Sequence, residues 1–188
     1  MELVSEAIVF ATKAHDGMRR KKSEAPYILH PMEAAVIVGT MTDDQHLIAA
    51  AALHDVVEDT GVTIEEVEEK FGKRVRELVQ AETEDKREEL PPSATWRIRK
   101  EESLEELKNA EDIAVLMVWL GDKLANMRAI YRDFKVEGNA MWQRFNQKDP
   151  AQQAWYYRSI VTLTQRLDYT SAWLEYKTLT ELVFGKGE

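Results

Sequence analysis

The sequence contains no cysteine. Disulfides and thiolate metal sites are therefore excluded, and a reducing compartment is expected. Glycine (8) and proline (5) are scarce among 188 residues, which favours helix over turn-rich sheet. No stretch sustains the period-two alternation of a half-buried strand. Internal repeats and low-complexity segments are also missing. The longest uninterrupted apolar run, Ile113 to Leu120, is far short of a membrane span. The opening residues Met1-Glu2-Leu3-Val4-Ser5-Glu6 lack the basic start of a signal peptide. These absences set the expectation of a cytoplasmic protein with no membrane partner. Positive charge is the minority sign, with 25 Lys and Arg against 34 Asp and Glu and a net charge of −9. A nucleic-acid partner is not expected on that balance.

What is present is a hydrophobic content of 44%, enough for one domain with a sizeable core. Leu3, Ala7, Phe10, Ala11 and Ala14 recur at helical spacing, and Gly17 ends that stretch. A loop follows with the basic cluster Arg19-Arg20-Lys21-Lys22, closed by Pro26-Tyr27. Pro31 suits a first helical turn, which places His30 at the mouth of a helix running to about Val38. Taken alone, His30 reads more simply as a cap than as a ligand. Asp43 or Asp44 can cap the next helix. Thr63 with Glu66 forms a capping box, and Val62 with Val67 a hydrophobic staple. Gly72 stops that helix, and another is expected from about Arg74 to Ala81. Glu82 to Pro92 reads as an exposed acidic loop, and Trp96 to Leu107 as helix. Glu111 to Arg132 is the longest periodic segment, apolar on all sides at first and so centrally buried. A helix is expected around Trp142, another from Asp149-Pro150 to about Leu167, and a last one from Thr170 or Ser171 to Phe184. The fold class is all-α.

The densest chemistry lies in Ala49-Ala50-Ala51-Ala52-Leu53-His54-Asp55-Val56-Val57-Glu58-Asp59-Thr60. On a continuous helix His54 and Glu58 stand at i, i+4, as do Asp55 and Asp59. An imidazole and three carboxylates would then face roughly one side. Grouped acceptors repel unless protons or a cation lie among them. Solvated acids at a helix end are the plainer reading of such a cluster. Imidazole and carboxylate together suit a divalent first-row metal. Asp122 interrupts the buried run of the long helix, and Asn126 lies one turn on. An acid at that depth is costly unless paired or metal-bound. The candidate ligands are thus His30, His54, Asp55 and Asp122.

That ordered series resembles the HD-domain phosphohydrolases. It is more specifically similar to the (p)ppGpp hydrolase domain of RelA/SpoT proteins and their small single-domain relatives. The matching pieces are Ala14-His15-Asp16-Gly17-Met18-Arg19-Arg20-Lys21, Pro26-Tyr27-Ile28-Leu29-His30-Pro31, Ala51 to Thr60, Phe71-Gly72, and Gly121-Asp122-Lys123-Leu124-Ala125-Asn126-Met127-Arg128. The resemblance covers residues 5 to about 132. It implies an HD-domain helical bundle with a phosphohydrolase core at about 3–134 and a helical extension at about 138–185, one domain over 1–188. It implies one Mn²⁺ held by His30, His54, Asp55 and Asp122. Glu58 and Asp59 would position and deprotonate water, while Arg20, Lys21 and Asn126 would bind a small-molecule nucleotide. The implied activity is removal of the 3′-pyrophosphate of (p)ppGpp. An HD hydrolase of another phosphorylated metabolite is one alternative, and a catalytically silent nucleotide-binding module is a second. Glu58-Asp59 argues against silence, because a binder needs no water-activating acids. Three departures stand out. Ser23-Glu24-Ala25 replace the family's usual glycine before Pro26, Trp119 stands where lysine is usual, and Gly121 where alanine is usual. Trp142, Phe145, Trp155, Tyr156 and Tyr157 lie outside the resemblance. The two tyrosines could line a pocket, although aromatics at this spacing more often fill a core.

Overall fold

Side-chain caps mark five of the helix starts. The computed structural model describes residues 1–20, 24–87 and 89–186. Its helices are α1 (Leu3–Ala14), α2 (Leu29–Gly39), α3 (Gln45–Leu53), α4 (Val56–Asp59), α5 (Ile64–Gln80), α6 (Pro92–Asn109), α7 (Ile113–Glu137), α8 (Pro150–Leu163) and α9 (Ser171–Phe184). Two 3₁₀ turns, Gly138–Arg144 and Gln165–Leu167, flank α8. Among the described residues the only β pairing is an isolated bridge between Arg19 and Pro26. Asp44, Asp112, Asp149 and Thr170 each accept a hydrogen bond from a backbone N–H of the first turn, which satisfies donors the helix itself leaves open. The Thr63–Glu66 capping box is present in both directions. Gly72 takes φ 84° and splits α5 into two helical pieces, a left-handed conformation that only glycine adopts freely.

The long helix α7 is the axis of the molecule. It packs against α2 on one side and α9 on another, while α3 lies among α1, α2 and α5. One apolar core runs from Ala7 of α1 to Val183 of α9. Trp142 in the first 3₁₀ turn stacks on Phe184 with ring centroids 5.4 Å apart. Tyr156 and Tyr157 are buried in this core, Tyr156 against Trp96 of α6 and Tyr157 against Phe184 of α9, so they fill space beside α8 and do not line an open pocket. Gly121 lets α2 and α7 approach closely. A Cβ there would lie 2.6 Å from Val38 Cγ2 and 3.0 Å from the Ala34 carbonyl oxygen. The usual alanine would therefore push apart the two helices that carry His30 and Asp122.

Two expectations are corrected. The ligand stretch is not one continuous helix, because His54 and Asp55 form a turn between α3 and α4. The acidic stretch after α5 is exposed at Asp85 and from Glu89 to Pro91, as expected, but not at its start. Glu82 is buried, and Glu84 pairs with Arg99 at 3.1 Å and with Lys100 at 2.6 Å. Tertiary cations on α6 hold the stretch down, and nothing local in the sequence announces them. No described helix is long and apolar enough to cross a membrane.

Candidate metal centre and its acids

The all-alanine interior of α3 lets that helix sit deep in the core, with Ala49, Ala50, Ala51 and Ala52 fully buried. It delivers His54 and Asp55 to the middle of the molecule. Helix α2 brings His30 and α7 brings Asp122, and His30, His54 and Asp122 each present a ligand atom within 4.8 Å of the others. His30 Nε2 lies 2.9 Å from Asp122 Oδ1 and 3.5 Å from Asp55 Oδ2. His54 Nε2 lies 3.0 Å from Asp55 Oδ2 and 3.4 Å from Asp122 Oδ1. The four expected ligands thus converge from two helices and the turn between α3 and α4.

The state of His54 shows what the centre accommodates. Its Nδ1 is 2.8 Å from the carbonyl oxygen of Ala51, so Nδ1–H is the donor there. Its Nε2 is buried without a hydrogen-bond partner and faces two carboxylates. A ring nitrogen buried between two carboxylates calls for positive charge there, either a proton on Nε2 or a cation, and a backbone carbonyl fixing the far nitrogen is the usual support of a metal-bound imidazole. Burial works against charge on His54, yet Asp55 and Asp122 outweigh it and hold the imidazole well above its ordinary pKa in the metal-free protein. Burial likewise disfavours the two carboxylates, but His54 and His30 beside Asp55, and Lys123 and His54 beside Asp122, keep both acids below the usual carboxylate range. The donor set of two imidazoles and two carboxylates fits a divalent cation.

Around the centre lies a second layer that the sequence reading did not single out. The Tyr27 hydroxyl is 2.8 Å from Asp55 Oδ2 and 2.6 Å from Asp59 Oδ2. Lys86 donates to the Glu58 carbonyl oxygen at 2.8 Å, lies 3.6 Å from Glu58 Oε1, and pairs closely with Asp59. Lys123 is buried against Asp122, with Glu82 at 3.7 Å and the Trp119 ring face at 4.6 Å. Burial alone would strip its proton, but Asp122 and then Glu82 and Glu84 hold it charged. Trp119 itself donates to the Ala81 carbonyl at 3.0 Å, so this departure from the family pattern is a core contact beside the site. Tyr27 stood within a quoted motif and could have been found there. Lys86 carried no signal beyond being a cation in an acidic stretch.

Glu58 and Asp59 end α4 beside the ligand cluster. Burial, reinforced by Asp55 and Glu84, raises the Glu58 pKa above the ordinary value. A raised carboxylate suits proton transfer near neutral pH better than an ordinary one. Asn126 donates to Asp122 Oδ1 at 2.7 Å and accepts from Arg20 at 3.1 Å. Arg20 is thereby tied to the edge of the centre. Lys21 lies outside the described residues.

The chain is similar to several known proteins. The chain is 35% identical over 132 residues to a GTP pyrophosphokinase of Myxococcus xanthus and 38% identical over 130 residues to the GTP pyrophosphokinase rsh of Brucella abortus. The matches cover 69% and 68% of this chain but 17% of each relative. Among solved structures, a metazoan ortholog of SpoT described as hydrolysing ppGpp superimposes with a TM-score of 0.77 at 25% identity, over 99% of this chain and 98% of the other. A protein of Listeria monocytogenes EGD-e matches with a TM-score of 0.72 at 26% identity, over 84% of this chain and 99% of that one. The family model described as HD domain matches residues 7–151, which contain the whole His30, His54, Asp55 and Asp122 cluster, and the chain belongs to the HD domain family.

Proposed function

We propose that this protein is a metal-dependent hydrolase that removes the 3′-pyrophosphate of (p)ppGpp. The observation that carries the reading is the unpartnered His54 Nε2 facing Asp55 and Asp122, with Glu58 and Asp59 at the next turn. The likeness over nearly the full chain to a SpoT ortholog described as hydrolysing ppGpp supports the substrate. His30, His54, Asp55 and Asp122 are the residues that would hold the cation, and Mn²⁺ suits their oxygen and nitrogen donors. A bound divalent ion supplies a water of lowered pKa and offsets charge on the phosphoryl oxygens.

The chain's own residues do the rest. Glu58 accepts the proton of the attacking water, as its raised carboxyl allows. Asp59 is gripped by Lys86 on one oxygen and Tyr27 on the other, so it orients that water with little freedom. The water oxygen bonds to the phosphorus attached at O3′, the bond to O3′ breaks, O3′ takes up a proton equivalent to the one passed to Glu58, and ppGpp yields GDP and pyrophosphate. The substrate is strongly anionic and the protein carries −9. Attraction must therefore be local, and Arg20 beside Asn126 and the third-exposed Lys86 are the cations at the rim. Lys21, on the same basic loop, belongs to this reading. The test is incubation of the purified protein with Mn²⁺ and a panel of ppGpp, pppGpp, GTP, GDP and unrelated phosphate esters. Release of pyrophosphate with GDP from ppGpp is expected. Cleavage of another panel member alone would keep the hydrolase and replace the substrate, and no cleavage under any divalent metal would reject the hydrolase.

A further inference from the structure

A tyrosine hydroxyl has one hydrogen to donate. The Tyr27 oxygen nevertheless lies within hydrogen-bond distance of two carboxylates, 2.8 Å from Asp55 Oδ2 and 2.6 Å from Asp59 Oδ2. Only one of these contacts can hold the hydrogen at a time. The other sets two electron-rich oxygens against each other, which is unfavourable unless positive charge reaches that carboxylate. The two acids differ in what else they face. Asp55 Oδ2 also lies 3.0 Å from His54 Nε2 and 3.5 Å from His30 Nε2, so it is the oxygen a cation in the cluster would draw on. Asp59 has Lys86 on its Oδ1, and its Oδ2 depends on Tyr27.

The ring of Tyr27 is locked independently of its hydroxyl. His15 stacks on it with centroids 5.1 Å apart and planes at 21°. The Arg20 guanidinium lies 5.5 Å from the ring centroid, and the His30 ring meets it edge-on with centroids 6.1 Å apart. The backbone N–H of Tyr27 donates to the Met18 carbonyl at 3.0 Å. The hydroxyl is thus a donor on a fixed ring, free only to rotate its hydrogen.

We infer that Tyr27 is a positioning residue that couples the cation centre to Asp59. When Asp55 Oδ2 is engaged by a cation, the Tyr27 hydrogen turns wholly to Asp59 and fixes that carboxylate for the attacking water. Without the cation the hydrogen is shared and Asp59 is held on one side only. The ring contacts also place the basic loop, through Arg20, against the same side chain, so cation, water-orienting acid and nucleotide-facing loop meet at one tyrosine. This inference rests on the hydrolase reading for its catalytic consequence but not for its hydrogen-bond geometry.

Tyr27→Phe separates hydroxyl from ring, because the stacking on His15 and the contact with Arg20 survive. With Mn²⁺ and ppGpp, kcat is expected to fall by roughly 10- to 100-fold, the loss of one hydrogen bond to a charged group, while KM and bound metal stay unchanged. Tyr27→Phe added to Asp59→Asn should lower kcat no further, because the hydroxyl acts through Asp59. Wild-type kcat in Tyr27→Phe, independent multiplication of the two losses, or metal loss in proportion to rate would overturn the inference. A second measurement needs no turnover. The Tyr27 hydroxyl proton, identified by its absence in Tyr27→Phe, is expected to shift in proton NMR when diamagnetic Mg²⁺ or Zn²⁺ is titrated into the metal-free protein. If the wild type fails to cleave ppGpp yet the resonance shifts, the substrate is wrong and the coupling stands. A cation that binds without moving the resonance would contradict the coupling itself.

Discussion

The ligand centre and the loop over it are built on opposite principles. His30, His54 and Asp122 are almost completely buried, come from three separate parts of the chain, and are positioned by tightly packed apolar helices. The Glu82–Leu90 loop is held by ion pairs to α6 and α7, and its Lys86 remains a third exposed. A buried ligand set must have its geometry fixed before a cation arrives, because desolvated charges cannot be left to rearrange. A loop that meets an anionic substrate has no such constraint and can trade contacts. The centre should therefore fail abruptly when altered, and the loop by degrees.

The acids between the two regions should show the largest effect on rate. Glu58→Gln and Asp59→Asn are expected to retain metal and to lose roughly 10²- to 10⁴-fold in kcat, the range typical of removed acid–base groups. Metal analysis beside steady-state kinetics checks this, and full activity in both variants would place the base elsewhere. Lys86→Met tests the loop. It removes one partner of Asp59 and one rim cation, and a drop of roughly tenfold in kcat/KM is expected, the low end for a charge-assisted contact because the side chain is partly solvated. A loss as steep as that of the acids would show that the loop belongs to the rigid centre after all.

Glu82 gives an effect on stability rather than on rate, with a defined sign. It is buried with both carboxylate oxygens lacking hydrogen-bond partners, and Lys123 at 3.7 Å is its sole ion-pair partner among the described residues. Burial, with Asp122 and Asp55 adding, raises its pKa well above the ordinary value against the pull of Lys123 and His54. A carboxyl whose folded pKa lies above its unfolded one favours the folded state most fully at low pH, below the unfolded pKa. That contribution is lost as pH rises towards the folded pKa. Metal-free Glu82→Gln should therefore gain on the parent from pH 4 upwards, by at most about 1.4 kcal/mol per pH unit. Parallel denaturation curves across pH 4 to 8 read this, and a pH-independent difference would show that Glu82 keeps an ordinary pKa.

Much of the centre was legible because its residue types are rare in buried helical segments. An aspartate closing an apolar run and a histidine–aspartate pair after four alanines both point inward. Helix boundaries followed the same local logic, since Asp44, Thr63, Asp149 and Thr170 cap where capping chemistry places them. What stayed hidden was decided by distant partners. Glu82 looked solvated until Lys123 and the surrounding core enclosed it. Lys86 looked like one charge among many until the loop folded back on Glu58 and Asp59. The two-acceptor position of Tyr27 depends on α2, the 54–55 turn and α4 meeting. The break at His54 and Asp55 was missed because the i, i+4 pattern of acids mimics a continuous helix.

The central claim is that these four side chains form one cation site. Titrating Mn²⁺ into metal-free protein by calorimetry, with the wild type and His54→Ala side by side, tests it most directly. One tight equivalent in the wild type and none in a folded His54→Ala variant is the expected result. Equal stoichiometry and affinity in the two proteins would contradict it.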